Sequence, residues 1–142
     1  MTHAEHTVTV RRPVGEVYAF LLDGTNNPRW RPEVTAVRHV SGQGAGARYA
    51  QTMTGMGGHS IAGDYRLTLC EPPGRIEFEV TAGPARPTGC FVLREVAPGE
   101  TEVTFVLDIA LHGPLLALRP LITNLARAEV ANLENLERAL AD

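Results

Sequence analysis

The sequence predicts an α+β fold, in which a curved antiparallel sheet wraps around one long C-terminal helix. Three observations carry this. From Val34 to Leu111 apolar and polar residues alternate in short runs broken by Gly- and Pro-containing turns, the mark of hairpin-connected strands. From Leu115 to Ala141 the period becomes helical, enough for about 40 Å of helix. A sheet with one apolar face needs a cover, and this amphipathic segment supplies it.

The elements follow in order. His3–Val10 reads as a strand with Val8 and Val10 on one face. Pro13 opens a helix, because its missing N–H has no partner in a first turn. Val14, Val17, Phe20 and Leu21 share a side of that helix, which stops at Asp23-Gly24. Thr25–Pro32 holds two prolines and reads as a turn or a short helix start, so two short helices are expected after the first strand. Six runs then alternate: Val34–Ser41, Ala47–Thr54, His59–Cys70, Arg75–Thr81, Gly89–Val96 and Glu102–Leu111. With the first strand they make a sheet of about seven strands. On a helical wheel Leu118, Ile122, Leu125, Leu133, Leu136 and Leu140 fall in one arc, opposite Thr123, Arg127, Glu134 and Arg138. Pro120 kinks this helix near its start. No repeat or linker divides the chain, so residues 1–142 are expected to form a single domain.

Composition excludes several function classes. The 142 residues carry a net charge of -3, whereas nucleic-acid binders rely on dense positive charge. All 13 basic residues are arginine. Without lysine there is no Schiff-base or pyridoxal-phosphate chemistry and no phosphate-loop lysine. Cys70 and Cys90 make neither a disulfide framework nor a C-x-x-C pair, and the histidines at 3, 6, 39, 59 and 112 lack metal-ligand spacing. No metal and no cofactor are expected. Gly58–Gly63 lacks the last glycine and the strand-to-helix turn of a hydrolase elbow. Gly42–Gly46 leads into a strand rather than a helix, against a dinucleotide fingerprint. The N-terminus has no apolar signal core and no run is long enough to span a bilayer, so a cytoplasmic protein without a membrane span is expected.

Several stretches, taken in order, resemble the START/Bet v-like superfamily (SRPBCC, polyketide cyclase/dehydrase-like). They are Arg12-Pro13-Val14-Gly15-Glu16-Val17-Tyr18-Ala19-Phe20, Asn27-Pro28-Arg29-Trp30, Gly44-Ala45-Gly46-Ala47-Arg48-Tyr49, Glu71-Pro72-Pro73-Gly74-Arg75, Gly99-Glu100-Thr101-Glu102-Val103-Thr104, and Glu129 with Leu136-Glu137. The resemblance covers nearly the whole chain. It implies the helix-grip fold, with a deep apolar cavity between sheet and terminal helix. Members include lipid carriers, plant hormone receptors and aromatic cyclases, so the resemblance implies a cavity more than a reaction.

Against that cavity, particular residues stand out. Glu129 lies at the centre of the wheel's apolar arc. A carboxylate there must be protonated, hydrogen-bonded or paired with arginine. It is either a ligand anchor or general acid/base, or it sits at a wet rim where the helix outruns the sheet. His59 is the second catalytic candidate, on one strand face with Tyr65. The ligand-lining candidates are Trp30, Tyr49, Gln51, Met53, Tyr65, Phe78, Phe91, Phe105 and Leu125; Tyr and Trp suit an apolar pocket because a flat body carries one polar tip. Trp30, by the resemblance, lies near a cavity end. Three functions compete: binding of a small hydrophobic or aromatic molecule, a cyclase/dehydratase-like enzyme using cavity acid–base residues, and an interaction protein whose cavity its own leucines and phenylalanines fill. An edge strand beside Arg86–Val96 would offer a homodimer contact.

Overall fold

The computed structural model describes residues 2–142 of the chain, Met56 through its backbone alone. Strand β1 (Thr2–Val10) leads into helix α1 (Val14–Leu22) and a 3-10 segment (Gly24–Arg29). Strands β2 (Val34–Ser41), β3 (Arg48–Thr54), β4 (Ser60–Ala62), β5 (Tyr65–Glu71), β6 (Arg75–Val80), β7 (Thr88–Ala97) and β8 (Glu100–Ile109) follow. A helical run then closes the chain: a 3-10 turn (Gly113–Leu118), α2 (Arg119–Ala131), a second 3-10 turn (Asn132–Asn135) and α3 (Leu136–Ala141). This is the helix-grip arrangement. None of these helices is long and apolar enough to cross a membrane among the described residues.

The sheet is antiparallel, in the order β1-β8-β7-β6-β5-β3-β2, with β4 paired to β3. Alternation sets its inner face. In β8, Thr101, Val103, Phe105, Leu107 and Ile109 are buried while the residues between are half-exposed. Register shifts at Leu67/Leu69, Glu95/Ala97 and twice in β2 mark bulges, which bend strands and increase twist.

Two expectations are corrected here. The run His59–Cys70 is not one strand. Gly63 and Asp64 interrupt it: the Asp64 carboxylate accepts from the Gln51 backbone N–H at 3.0 Å, in place of a ladder carbonyl. The stretch Arg86–Val96 is not an edge either. Strand β7 lies between β6 and β8, and the free ends of the sheet are β1 and β2, so β7 has no free edge for strand pairing with a second copy.

Helix α2 makes its close contacts with β1 and β8. It buries Ile122, Ala126, Glu129 and Val130, and Leu133, Leu136 and Ala139 continue the stripe. Leu125, expected inside, is 44% exposed. The small Ala126 is buried instead, and the 3-10 turn at Asn132–Asn135, with three residues per turn, re-phases the helix. Away from β1 and β8 the helix stands off the sheet.

Gly89 shapes the resulting space. It faces Phe78 across the β6–β7 ladder, and a Cβ there would lie 2.1 Å from Phe78 Cζ. The ring lies flat over the glycine because nothing projects from it. Gly89→Ala should force the ring toward the helix and destabilise the fold by about 1–3 kcal/mol, the cost of overpacking. Chemical denaturation measures it.

Candidate functional site

Between the inner sheet face and α2 lies a cavity of about 340 Å³, in the range of small-molecule sites. Its wall is largely apolar, with Leu67, Ile76, Phe78, Phe91 and Leu107 from the sheet and Ile122 from the helix. Phe78 and Phe91 line this space without filling it.

One end of the wall is polar, and the loop after α1 builds it. The Asp23 carboxylate accepts from Thr25 N–H and starts the 3-10 segment. That turn aims Asn27 inward. The Asn27 amide N–H₂ donates to Gln51 Oε1 at 2.9 Å and to the Tyr65 hydroxyl at 3.0 Å. Tyr65 therefore keeps its own proton to donate, and among the described residues neither that proton nor the Gln51 amide N–H₂ has an acceptor. Gly24 makes room: a Cβ there would sit 2.0 Å from the Tyr65 oxygen.

Four residues further on, Arg31 is buried and donates through Nε and Nη2 to one oxygen of Glu129. Its guanidinium carbon lies 5.7 Å from the Trp30 ring centre and 5.8 Å from that of Phe105, so aromatic faces partly replace its lost hydration. Glu33, also at the cavity wall, accepts from Asn132 Nδ2 at 2.6 Å, and Asn135 donates to the Trp30 carbonyl at 3.1 Å. The closing helical run thus grips the loop with Glu129, Asn132 and Asn135, three residues apart and on one side.

Burial pushes the Glu129 carboxyl above its ordinary value; the Arg31 charge opposes that rise and neighbouring Glu33 adds to it. Burial likewise raises the Tyr65 phenol, against the Asn27 hydrogen bond and the Arg31 charge. The phenol is a hydrogen-bond donor at any physiological pH. Together the group offers two free neutral donors, one arginine and two carboxyls to whatever occupies the apolar space.

Of the residues singled out from sequence, Gln51, Met53, Tyr65, Phe78, Phe91, Leu125 and Glu129 line this cavity. Three do not. Tyr49 stacks behind Tyr65, with ring centres 5.0 Å apart and planes at 11°. Trp30 and Phe105 pack edge to face at 5.8 Å in the core beneath the cavity. His59 is exposed and off the cavity wall: the break at Gly63-Asp64 removes the phase that placed it beside Tyr65. Asn27, Arg31 and Glu33 went unread; Pro28 and Pro32 around them signalled only a turn.

Residues 1–141 match the model of the family described as polyketide cyclase / dehydrase and lipid transport. The chain belongs to this family. The family supports a ligand-binding or cyclase role in general terms. Among solved structures, the protein TTHA0849 from Thermus thermophilus is 21% identical, covering 98% of this chain and 97% of that one with a TM-score of 0.84. A START superfamily protein from Mycobacterium smegmatis is 17% identical, covering 99% and 98%, with a TM-score of 0.83. The Zhui aromatase/cyclase from Streptomyces sp. R1128 is 17% identical, covering 97% and 90%, with a TM-score of 0.76. At these identities the likeness is one of fold. No curated protein matches the sequence.

Proposed function

We propose that this family member binds a small hydrophobic or aromatic molecule in the cavity, with an uncharged oxygen of the ligand held by Tyr65 and Gln51. The observation that carries this reading is the pair of unused donors at the end of an otherwise apolar space. The charge balance sharpens it. Arg31 is already committed to Glu129, and Glu33 adds a second carboxyl, so a ligand carboxylate meets repulsion rather than an anchor.

A neutral fluorescent naphthylamine should bind saturably and with one-to-one stoichiometry. In displacement of that probe, a long-chain alcohol should compete at least tenfold better than the fatty acid of the same length. Tyr65→Phe or Gln51→Leu should weaken the alcohol about 5- to 15-fold, the worth of one hydrogen bond, while leaving a pure hydrocarbon unchanged. Equal binding of acid and alcohol would reject the assignment of the polar end.

One observation favours a second reading, a cyclase/dehydratase-like reaction: Glu129 is a buried carboxyl with a raised pKa in a cavity. Against it, the hydrogen-bond partner of Glu129 is Arg31, not His59 or a tyrosine. Glu129→Gln separates the two readings, since loss of turnover with retained binding would establish the reaction.

A further inference from the structure

Two carboxyls share the cavity wall with a single bound arginine. Glu129 stands buried on α2, and Glu33, half-buried, lies just before β2. Each spends one oxygen on the protein. Glu129 Oε1 accepts from Arg31, and Glu33 Oε2 accepts from Asn132 at 2.6 Å. Among the described residues, no N–H or hydroxyl is bonded to Glu129 Oε2 or Glu33 Oε1.

The two side chains act on each other. Glu33 reaches Glu129 through its charge and through a side-chain hydrogen bond, and both effects raise the Glu129 carboxyl. A hydrogen bond between two carboxyls needs a proton on one of them. With that proton, Arg31, Glu33 and Glu129 sum to neutrality; without it they leave a net negative charge in an apolar wall. The other ionisable lining residues do not cancel that charge. Tyr65 stays neutral, and Arg86 is exposed on the loop 82–87, where its Nε donates to the Gly83 carbonyl at 3.1 Å. Gln51 shows independently that a polar ligand is expected in this space. It is 4% exposed and lines the cavity, yet its amide N–H₂ has no acceptor among the described residues.

We infer that the ligand of this cavity carries a basic nitrogen, whose ammonium sits between Glu33 and Glu129 in place of the shared proton. This rests on the ligand-binding reading and narrows it: the ligand is an apolar amine that also bears a neutral oxygen. The nitrogen meets the two free carboxyl oxygens, and the oxygen meets Tyr65 and Gln51. An ammonium brings the N–H donors that neither carboxyl finds in the protein, and such charge-assisted bonds are the strong ones. Its apolar substituents match the rest of the wall. A divalent metal ion is the wrong cation. Such ions take about six oxygen ligands, two carboxyl oxygens are on offer, and no cluster of three or more His, Cys, Asp or Glu exists among the described residues.

Displacement of the neutral naphthylamine from the full chain tests this at neutral pH. The competitors are a long-chain primary amine and the alcohol and hydrocarbon of the same length. The amine should compete at least about tenfold better than the hydrocarbon, the worth of a hydrogen bond to a charged group. That comparison needs no variant. Glu33→Gln should then weaken the amine about tenfold and leave the alcohol within about twofold. The glutamine oxygen still accepts from Asn132, so the variant should unfold at the same denaturant concentration as wild type. Tyr65→Phe should do the reverse, weakening the alcohol and sparing the amine. A wild-type amine no better than the hydrocarbon, or a Glu33→Gln variant that binds the amine as wild type does, overturns the proposal while probe uptake keeps the cavity reading. If the probe itself is not taken up, both readings fall.

Discussion

Arg31→Met should cost about 3–5 kcal/mol of folding stability, because it strands the Glu129 carboxylate in a buried site with its partner gone. The loss should depend on pH. In the wild type the Glu129 carboxyl is raised by burial, so its contribution to stability is full below the unfolded value and falls as pH rises through the folded one. Removing Arg31 takes away the charge that opposes that rise. The variant's carboxyl then moves further up, and the deficit should be small in mild acid, where Glu129 takes up a proton, and larger in mild alkali. Urea melts at both pH values measure this, and an equal deficit at each would mean that Glu129 is not the stranded charge.

Adding Glu129→Leu to Arg31→Met should recover most of the lost stability, since apolar replacements of a buried ion pair are commonly neutral or stabilising. An ion pair that stability does not require, at the polar end of a ligand-sized space, points to discrimination as its use. The double variant should therefore fold well and yet lose part of the preference for alcohol over fatty acid.

The scaffold was readable from residues because each cue was local. Val103, Phe105 and Leu107 alternate within one strand, and Pro13 and Asp23-Gly24 bracket one helix. The order of strands was less readable, since pairing is a long-range property, and β7 was misplaced at an edge for that reason. The site was half readable. Gln51, Tyr65 and Glu129 stood out as polar groups on apolar faces. Arg31 and Glu33 did not, because an arginine between prolines looks like any solvated loop residue. What buries them is contact with Glu129 and Asn132, separated by 98 and 99 residues. His59 shows the converse error, in which a plausible alternation is cut by Asp64, whose side chain takes over a ladder hydrogen bond.

Trp30 ties the two halves of the molecule together, and its replacement by alanine should be among the most damaging single changes. The side chain is 1% exposed and packs edge to face on Phe91 and Phe105, and its backbone carbonyl receives Asn135 from the closing helix. Deleting a buried indole costs about 3–5 kcal/mol, the cavity included. Trp30→Phe is the informative comparison. The indole N–H is buried without a protein partner, and an unmet donor costs about 1–3 kcal/mol. Phenylalanine removes that donor while keeping ring contacts with Phe91 and Phe105, so the two effects of the smaller ring oppose each other. Trp30→Phe should fall within about 1.5 kcal/mol of wild type, and Trp30→Ala should fall far below it. If phenylalanine were as damaging as alanine, the indole N–H would be making a bond that sustains the fold, and a water molecule held against it would be the group to look for.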